Sequence, residues 1–279
     1  MFTYSTRNSL ESALQEVRNQ NGRIGFVPTM GALHEGHLSL VKSASSDCDV
    51  VVVSIYVNPT QFNNQEDFLK YPKTLNQDLQ LLNEFPKVIV YVPSNEEVYP
   101  ENDHFQSVEL GQLDEVLEGK FRPGHFQGVV HVVRNLLNAV NPHLAYFGLK
   151  DFQQLAVIRK FALLNGLKTQ IIACDTLREP SGLALSSRNL RLTEKEKIEA
   201  LVIYKTLEQI KNWRKLYTPR EVKKLALEFF RNGSLKLEYL EIIDGDEFLI
   251  LEDEWSENSL CCIAAYCGEV RLIDNMFCQ

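Results

Sequence analysis

The chain has 279 residues, 44% hydrophobic and 24% charged, an ordinary globular composition on a length sufficient for two domains. A net charge of −8 speaks against a generic nucleic-acid surface, so an anionic ligand would have to be held by a few local cations. No apolar run approaches the length of a membrane span, and MFTYSTRNSL lacks the basic start and apolar stretch of a signal peptide, so a cytoplasmic protein is expected.

In chain order, Arg23–Pro28 predicts a short apolar strand. A glycine-bearing loop follows, then a helical pattern from His37 to about Ser46. Asp49–Val57 is β-branched and nearly all apolar, as in a strand buried on both faces. Lys87–Val92, Leu144–Phe147 and Thr169–Cys174 read as further strands, and Gly128–Val140 and Asp151–Asn165 as helices. Strand and helix in turn predict an α/β fold: a Rossmann-like, doubly wound parallel sheet with ligands beyond the carboxyl ends of its strands. Beyond about residue 175 the pattern changes. Glu194–Trp213 and Arg220–Arg231 are amphipathic helices, and Leu235–Ile243, Leu260–Tyr266 and Val270–Met276 are strand-like. This predicts residues 1–175 as one domain and 176–279 as a smaller α+β domain. The six cysteines form no CxxC pair and read as reduced thiols in or near cores.

Five strings carry the chemistry. In the first, Thr29 to His37, a strand turns through Gly31 and Gly36 into a helix. A helix start offers unpaired N–H groups and partial positive charge to phosphate. His34 and His37, three apart, can share a face of the first turn and donate to phosphate oxygens. Zinc is disfavoured because no third ligand is nearby. The second string, Asn58-Pro59-Thr60-Gln61-Phe62, leaves the buried strand, and the Gln61 amide suits a ligand with hydroxyl and carboxylate groups. The third, Phe121 to Val130, contains Arg122-Pro123-Gly124-His125, where Arg122 could face an anion. In the fourth, Gly148-Leu149-Lys150-Asp151, Lys150 at a strand end is a plausible phosphate cation and Asp151 a plausible N-cap; Gln154 lies one turn on. In the fifth, Leu185-Ser186-Ser187-Arg188-Asn189, two hydroxyls and a guanidinium could clamp an anion.

HxGH after a strand is similar to the signature of the nucleotidyltransferase superfamily, and PTMGALHEGHLSLV resembles the pantothenate synthetases (pantoate–β-alanine ligases). NPTQF, RPGHFQGV, GLKDFQQ and GLALSSRN follow in that family's order. The resemblance implies an ATP-dependent ligase that condenses (R)-pantoate with β-alanine through a pantoyl adenylate, releasing pyrophosphate and AMP. It assigns catalysis to His34, His37 and Lys150. Nucleotide contacts fall to Met30, Gly31, Ala32, Leu33, His34, Glu35, Gly36, His37, Gly148, Leu149, Lys150, Asp151, Leu177, Leu185, Ser186, Ser187 and Arg188. Pantoate falls to Gln61 and Gln154, and Mg²⁺ to Asp78. It also implies a homodimer with neither nucleic-acid nor membrane partner. Lys73, His131 and Asn135 depart from the usual Arg, Thr and Lys, and the polar segment around Asn63–Thr74 is expected to be a closing flap.

Two other functions share part of this pattern. A nucleotidyltransferase releasing a dinucleotide-like product would use HxGH and the serine-rich loop, but not Gln61 and Gln154 together. A non-catalytic nucleotide- or RNA-binding protein would need neither two histidines nor two separated cation loops, and the acidic charge opposes RNA.

Overall fold

The β-branched runs form a six-stranded sheet in which every pairing is parallel: β1 (Phe2–Tyr4), β2 (Ile24–Thr29), β3 (Val50–Ile55), β4 (Val88–Tyr91), β5 (Leu144–Gly148) and β6 (Gln170–Cys174), in the order β1-β4-β3-β2-β5-β6. The computed structural model describes residues 2–279. The crossovers carry helices α1 (Arg7–Asn19), α2 (Glu35–Asp47), α3 (Gln65–Leu69), α4 (Leu75–Leu82), α5 (Asn95–Val98), α6 (Leu117–Phe121), α7 (His125–Val140) and α8 (Phe152–Leu164). Val27, Val51, Val53 and Val90 form one core with Leu38, Val41 and Ala44 of α2. The alternate side chains Ile24, Phe26 and Val52 are equally buried, and α7 touches β2. Two covered faces explain why these strands read as continuous apolar runs. The chain steps from β2 outward to β3, and later returns to place β5 on the other side of β2. That reversal is the switch point where such sheets open a crevice.

The predicted strands all form, within two residues of the expected ends. α7 begins at His125, a turn earlier than Gly128, because Gly124 at φ +78° supplies the left-handed residue before it. Asp151 stands at the N-cap of α8 but makes no side-chain capping bond. β1, α1 and α4 were not expected. Asn63–Thr74 contains α3, and Phe62 packs edge-on against Phe68 and Tyr71, whose ring centroids lie 5.4 and 5.7 Å away. The segment expected to be a polar flap thus carries an aromatic cluster of its own, with Tyr71 buried.

Contacts divide the chain into Met1–Asp114 with Arg122–Asp175, and Glu115–Phe121 with Thr176–Gln279. The segment Glu115–Phe121, expected in the first domain, thus groups with the second. In that unit α9 (Glu194–Trp213) and α10 (Pro219–Phe230) pack on an antiparallel sheet of β7 (Lys236–Asp244), β8 (Ser259–Cys267) and β9 (Val270–Phe277). Both helices start with a capping box, Thr193 with Glu196 and Thr218 with Glu221. Ile203, Leu207, Val222 and Ala226 meet Leu240, Ile242, Ile263 and Ala265 in the core. All six cysteines are free, and the Cys261 thiol is pushed well up by burial, an inert structural group.

Candidate active site

The carboxyl ends of the neighbouring strands β2 and β5 carry the first and fourth strings, so His34, His37 and Lys150 stand at the switch point. Gly31 (φ +77°) and Ala32 (φ +49°) turn the chain in the left-handed region. A residue with a Cβ is uncommon there, so Ala32 must be held by its surroundings. Asp78 of α4 holds it: its Oδ2 accepts from the Ala32 amide at 3.0 Å and its Oδ1 from the Leu33 amide at 2.8 Å. The Thr74 hydroxyl donates to the same Oδ1 at 3.1 Å, and the carboxylate is 1% exposed.

His34 is the N-cap of α2. Its Nδ1 accepts from the Gly36 amide at 3.1 Å, while His37 Nδ1 accepts from the His34 amide at 3.3 Å. The two rings lie 4.1 Å apart between centroids. Burial, then the Lys150 charge, lowers His34 to a pKa of about 4. Burial, then His34 and Lys150, lowers His37 to about 3. Both rings are therefore neutral at pH 7. Because each Nδ1 uses its lone pair to accept, each proton sits on Nε2. The result is a pair of neutral Nε2–H donors beside one lysine.

The sequence suggested that the helix start would offer bare amides to a phosphate. Most are already bonded: Gly31 to Thr29 Oγ1, Ala32 and Leu33 to Asp78, His34 to His37, Gly36 to His34, and His37 to the His34 carbonyl. The turn therefore presents imidazole N–H groups instead of backbone.

Asp78 does not fit the Mg²⁺ role expected of it. Of the roughly four lone-pair sites on a carboxylate, three are taken. Mg²⁺ usually retains several waters, for which a 1% exposed group leaves no space. Among the described residues no group of three or more His, Cys, Asp or Glu could hold a metal ion.

Gln61 ends a short turn, Pro59–Gln61, capped by Asn58. The Asn58 amide donates to Gln61 Oε1 at 3.2 Å, and Gln61 Nε2 approaches the Met30 sulfur. Arg122 Nη2 (3.1 Å) and His125 Nδ1 (2.8 Å) both reach the Gln61 carbonyl, which can only accept. Arg122 and His125 thus support the backbone of Gln61. Asn58, 1% exposed, also accepts from Tyr99. These supports were missed; the one signal for Asn58 was its place two residues before Thr60, as a side-chain cap of the turn. The two glutamines of α8 divide: buried Gln153 donates to the Leu113 carbonyl, while the half-buried Gln154 amide makes no hydrogen bond among the described residues.

The departures have local partners of their own. His131, Arg134 and Asn135 all bond Asp103, with His131 Nε2 and Asn135 Nδ2 at 2.5 and 2.7 Å from Oδ2. Burial opposes the charge on Asp103, but these hydrogen bonds and Arg134 hold its pKa below the usual range. Lys73 lies over the Phe68 ring.

Leu177 and Leu185–Arg188 belong to the other unit. Leu177 and Leu185 close a hairpin, with the Leu185 amide 3.0 Å from the Leu177 carbonyl. Arg178 anchors the hairpin by pairing with Asp274, 3.0 Å from Nη2 to Oδ1. Ser186 Oγ accepts from the Arg188 amide as a cap, and Ser187 is 6% exposed. A hydroxyl that accepts one N–H can still donate its own hydrogen, so the capping bond leaves the Ser186 O–H available to an anion.

A family model described as pantoate-beta-alanine ligase matches residues 3–277. The chain is 47% identical to the pantothenate synthetase of Azobacteroides pseudotrichonymphae over 271 residues, 96% of each chain. It is 46% identical to that of Porphyromonas gingivalis over 279 residues, 99% of each. The crystal structure of pantothenate synthetase from Thermus thermophilus matches with a TM-score of 0.93 at 39% identity, covering 100% of this chain and 99% of that one. The Francisella tularensis pantoate-beta-alanine ligase, described as complexed with β,γ-ATP and β-alanine, matches at 0.83 and 38%, covering 100% and 98%.

Proposed function

This chain belongs to the pantoate–β-alanine ligase family, and we propose that it makes pantothenate in two steps beyond the carboxyl ends of β2 and β5. A carboxylate resists an amine because oxide is a poor leaving group. In the first step a pantoate carboxylate oxygen attacks the α-phosphorus of ATP, the bond to pyrophosphate breaks, and pantoyl adenylate forms. In the second the β-alanine ammonium first gives up a proton, the free amine attacks the acyl carbon, the C–O bond to AMP breaks, and the new amide nitrogen loses a second proton to solvent.

The observation that carries this assignment is the neutral imidazole pair beside Lys150. Charge builds on the phosphate oxygens during attack, and preorganised donors stabilise it where it develops. His34 and His37 contribute Nε2–H groups and Lys150 a full positive charge. The buried Asn58 holds Gln61 oriented for pantoate, and Gln154 offers an amide with no hydrogen-bond partner among the described residues. Met30–His37 and Gly148–Asp151 are assigned to the nucleotide in the first unit, and the family resemblance gives Leu177, Leu185, Ser186, Ser187 and Arg188 of the second unit a nucleotide role as well. Mg²⁺ arrives on the triphosphate, as part of the substrate. The protein is proposed to work as a cytoplasmic homodimer.

The test is AMP formation from ATP with pantoate and β-alanine, each acid omitted in turn. Pyrophosphate release requires pantoate alone, whereas AMP release requires both. AMP formed without pantoate would overturn the assignment.

A further inference from the structure

We infer that Asp78 is a positioning residue for the histidine turn: it fixes the left-handed backbone at Gly31–Ala32 and so places His34 and His37. This rests on the function proposed above, which gives those rings their role. The carboxylate is 1% exposed and reaches the turn from a separate helix, α4. It accepts from two consecutive amides, Ala32 and Leu33, which immediately precede the N-cap His34. Two adjacent N–H groups aimed at one carboxylate require the backbone to curl. At Ala32 that curl carries a Cβ into φ +49°. Nothing in a free chain favours that conformation, so an acceptor must hold it. The space is closed as well: a Cβ on Gly31 would lie 3.0 Å from Asp78 Oδ2 and 3.1 Å from Ile55 Cγ2. Thr74 steadies the carboxylate from the start of α4.

Asp78→Asn keeps the size but not the bonding. Its amide carries one acceptor oxygen, and its NH₂ faces an N–H of the turn. The decisive measurement uses substrate-free enzyme stripped of divalent metal. Imidazole nitrogen NMR of the wild type should show both rings as Nε2–H tautomers titrating well below 6.5. In Asp78→Asn both should move toward 6.5 and lose the single tautomer. kcat/KM for ATP should fall on the order of tenfold or more, because the displaced rings no longer meet the charge that develops in the transition state. The Mg²⁺ concentration for half-maximal activity should stay unchanged. If Asp78→Asn does not fold, Thr74→Val, which removes one of the three bonds, should shift the same signals by a smaller amount. Unaltered histidine spectra in the folded variant, with only the Mg²⁺ requirement raised, would overturn the inference in favour of a metal ligand. The spectra are read without substrates, so their outcome is independent of the assay for ligase activity.

Discussion

His34 and His37 are held neutral, and this has two measurable consequences. A folded pKa of about 4 or 3 lies below the ordinary 6.5, so between those values the unfolded chain binds more protons. The stabilisation from burying neutral rings is complete above about 6.5 and is lost as pH falls toward 4. Urea unfolding at pH 7.5 and 5 should therefore show less loss on acidification in His37→Ala than in the wild type; an equal loss would mean that His37 is not held neutral. The rate profile should agree: the acid limb of kcat/KM for ATP should fall well below 6.5, since that parameter reports the free enzyme. Replacing either ring by alanine should reduce adenylate formation by about 10²–10³, the usual effect of removing one transition-state donor. Near-normal pyrophosphate release would remove that ring from the mechanism. The pair was legible in HxGH at the end of a strand. Asp78 was not legible: an acidic residue in an amphipathic segment reads as solvated, and only the tertiary approach of α4 buries it.

At the scale of elements, legibility followed burial. The inner strands β2, β3 and β5 announced themselves because both faces are covered, whereas the exposed β1 did not, and α1 turns only Leu10 and Leu14 fully inward, too thin a stripe to stand out. The turn that carries Gln61 depends on an approach no local pattern could show. A Cβ on Gly128 of α7 would lie 2.6 Å from the Thr60 carbonyl oxygen, and the Gly128 carbonyl accepts from Asn58. Gly128→Ala should push the turn away and misorient Gln61. The expected result is a raised pantoate KM with ATP binding little changed, and about 1–3 kcal/mol of destabilisation from overpacking. Gln61→Ala and Gln154→Ala should reproduce the kinetic effect with smaller changes in stability. Calorimetry showing pantoate binding intact in all three would refute this placement of the acid.

On the scale of the whole molecule, chain order does not match unit membership. The chain leaves the first unit after Asp114, contributes seven residues to the second, and returns at Arg122. Sequence patterns run along the chain, so the expected boundary could only be a single cut near residue 175. Within the segment Glu115–Phe121, Leu117, at φ +46°, starts α6 in a conformation that a leucine adopts only when its surroundings impose it. The next residue, Glu118, 7% exposed, takes both ends of the Arg271 guanidinium at 2.9 and 2.7 Å and a hydrogen bond from Tyr239 at 2.7 Å. Arg271 also bonds Glu238, so one guanidinium serves two carboxylates. Burial disfavours charge on Arg271, yet these partners push its pKa upward overall. Arg271→Met should leave two poorly exposed carboxylates without their cation, a change that typically costs about 3–5 kcal/mol. Adding Glu118→Gln to that variant should recover part of the loss, because one uncompensated charge is removed. Urea unfolding of the two single variants and the double variant measures this coupling. Losses that simply add would mean that Glu118 and Arg271 act independently.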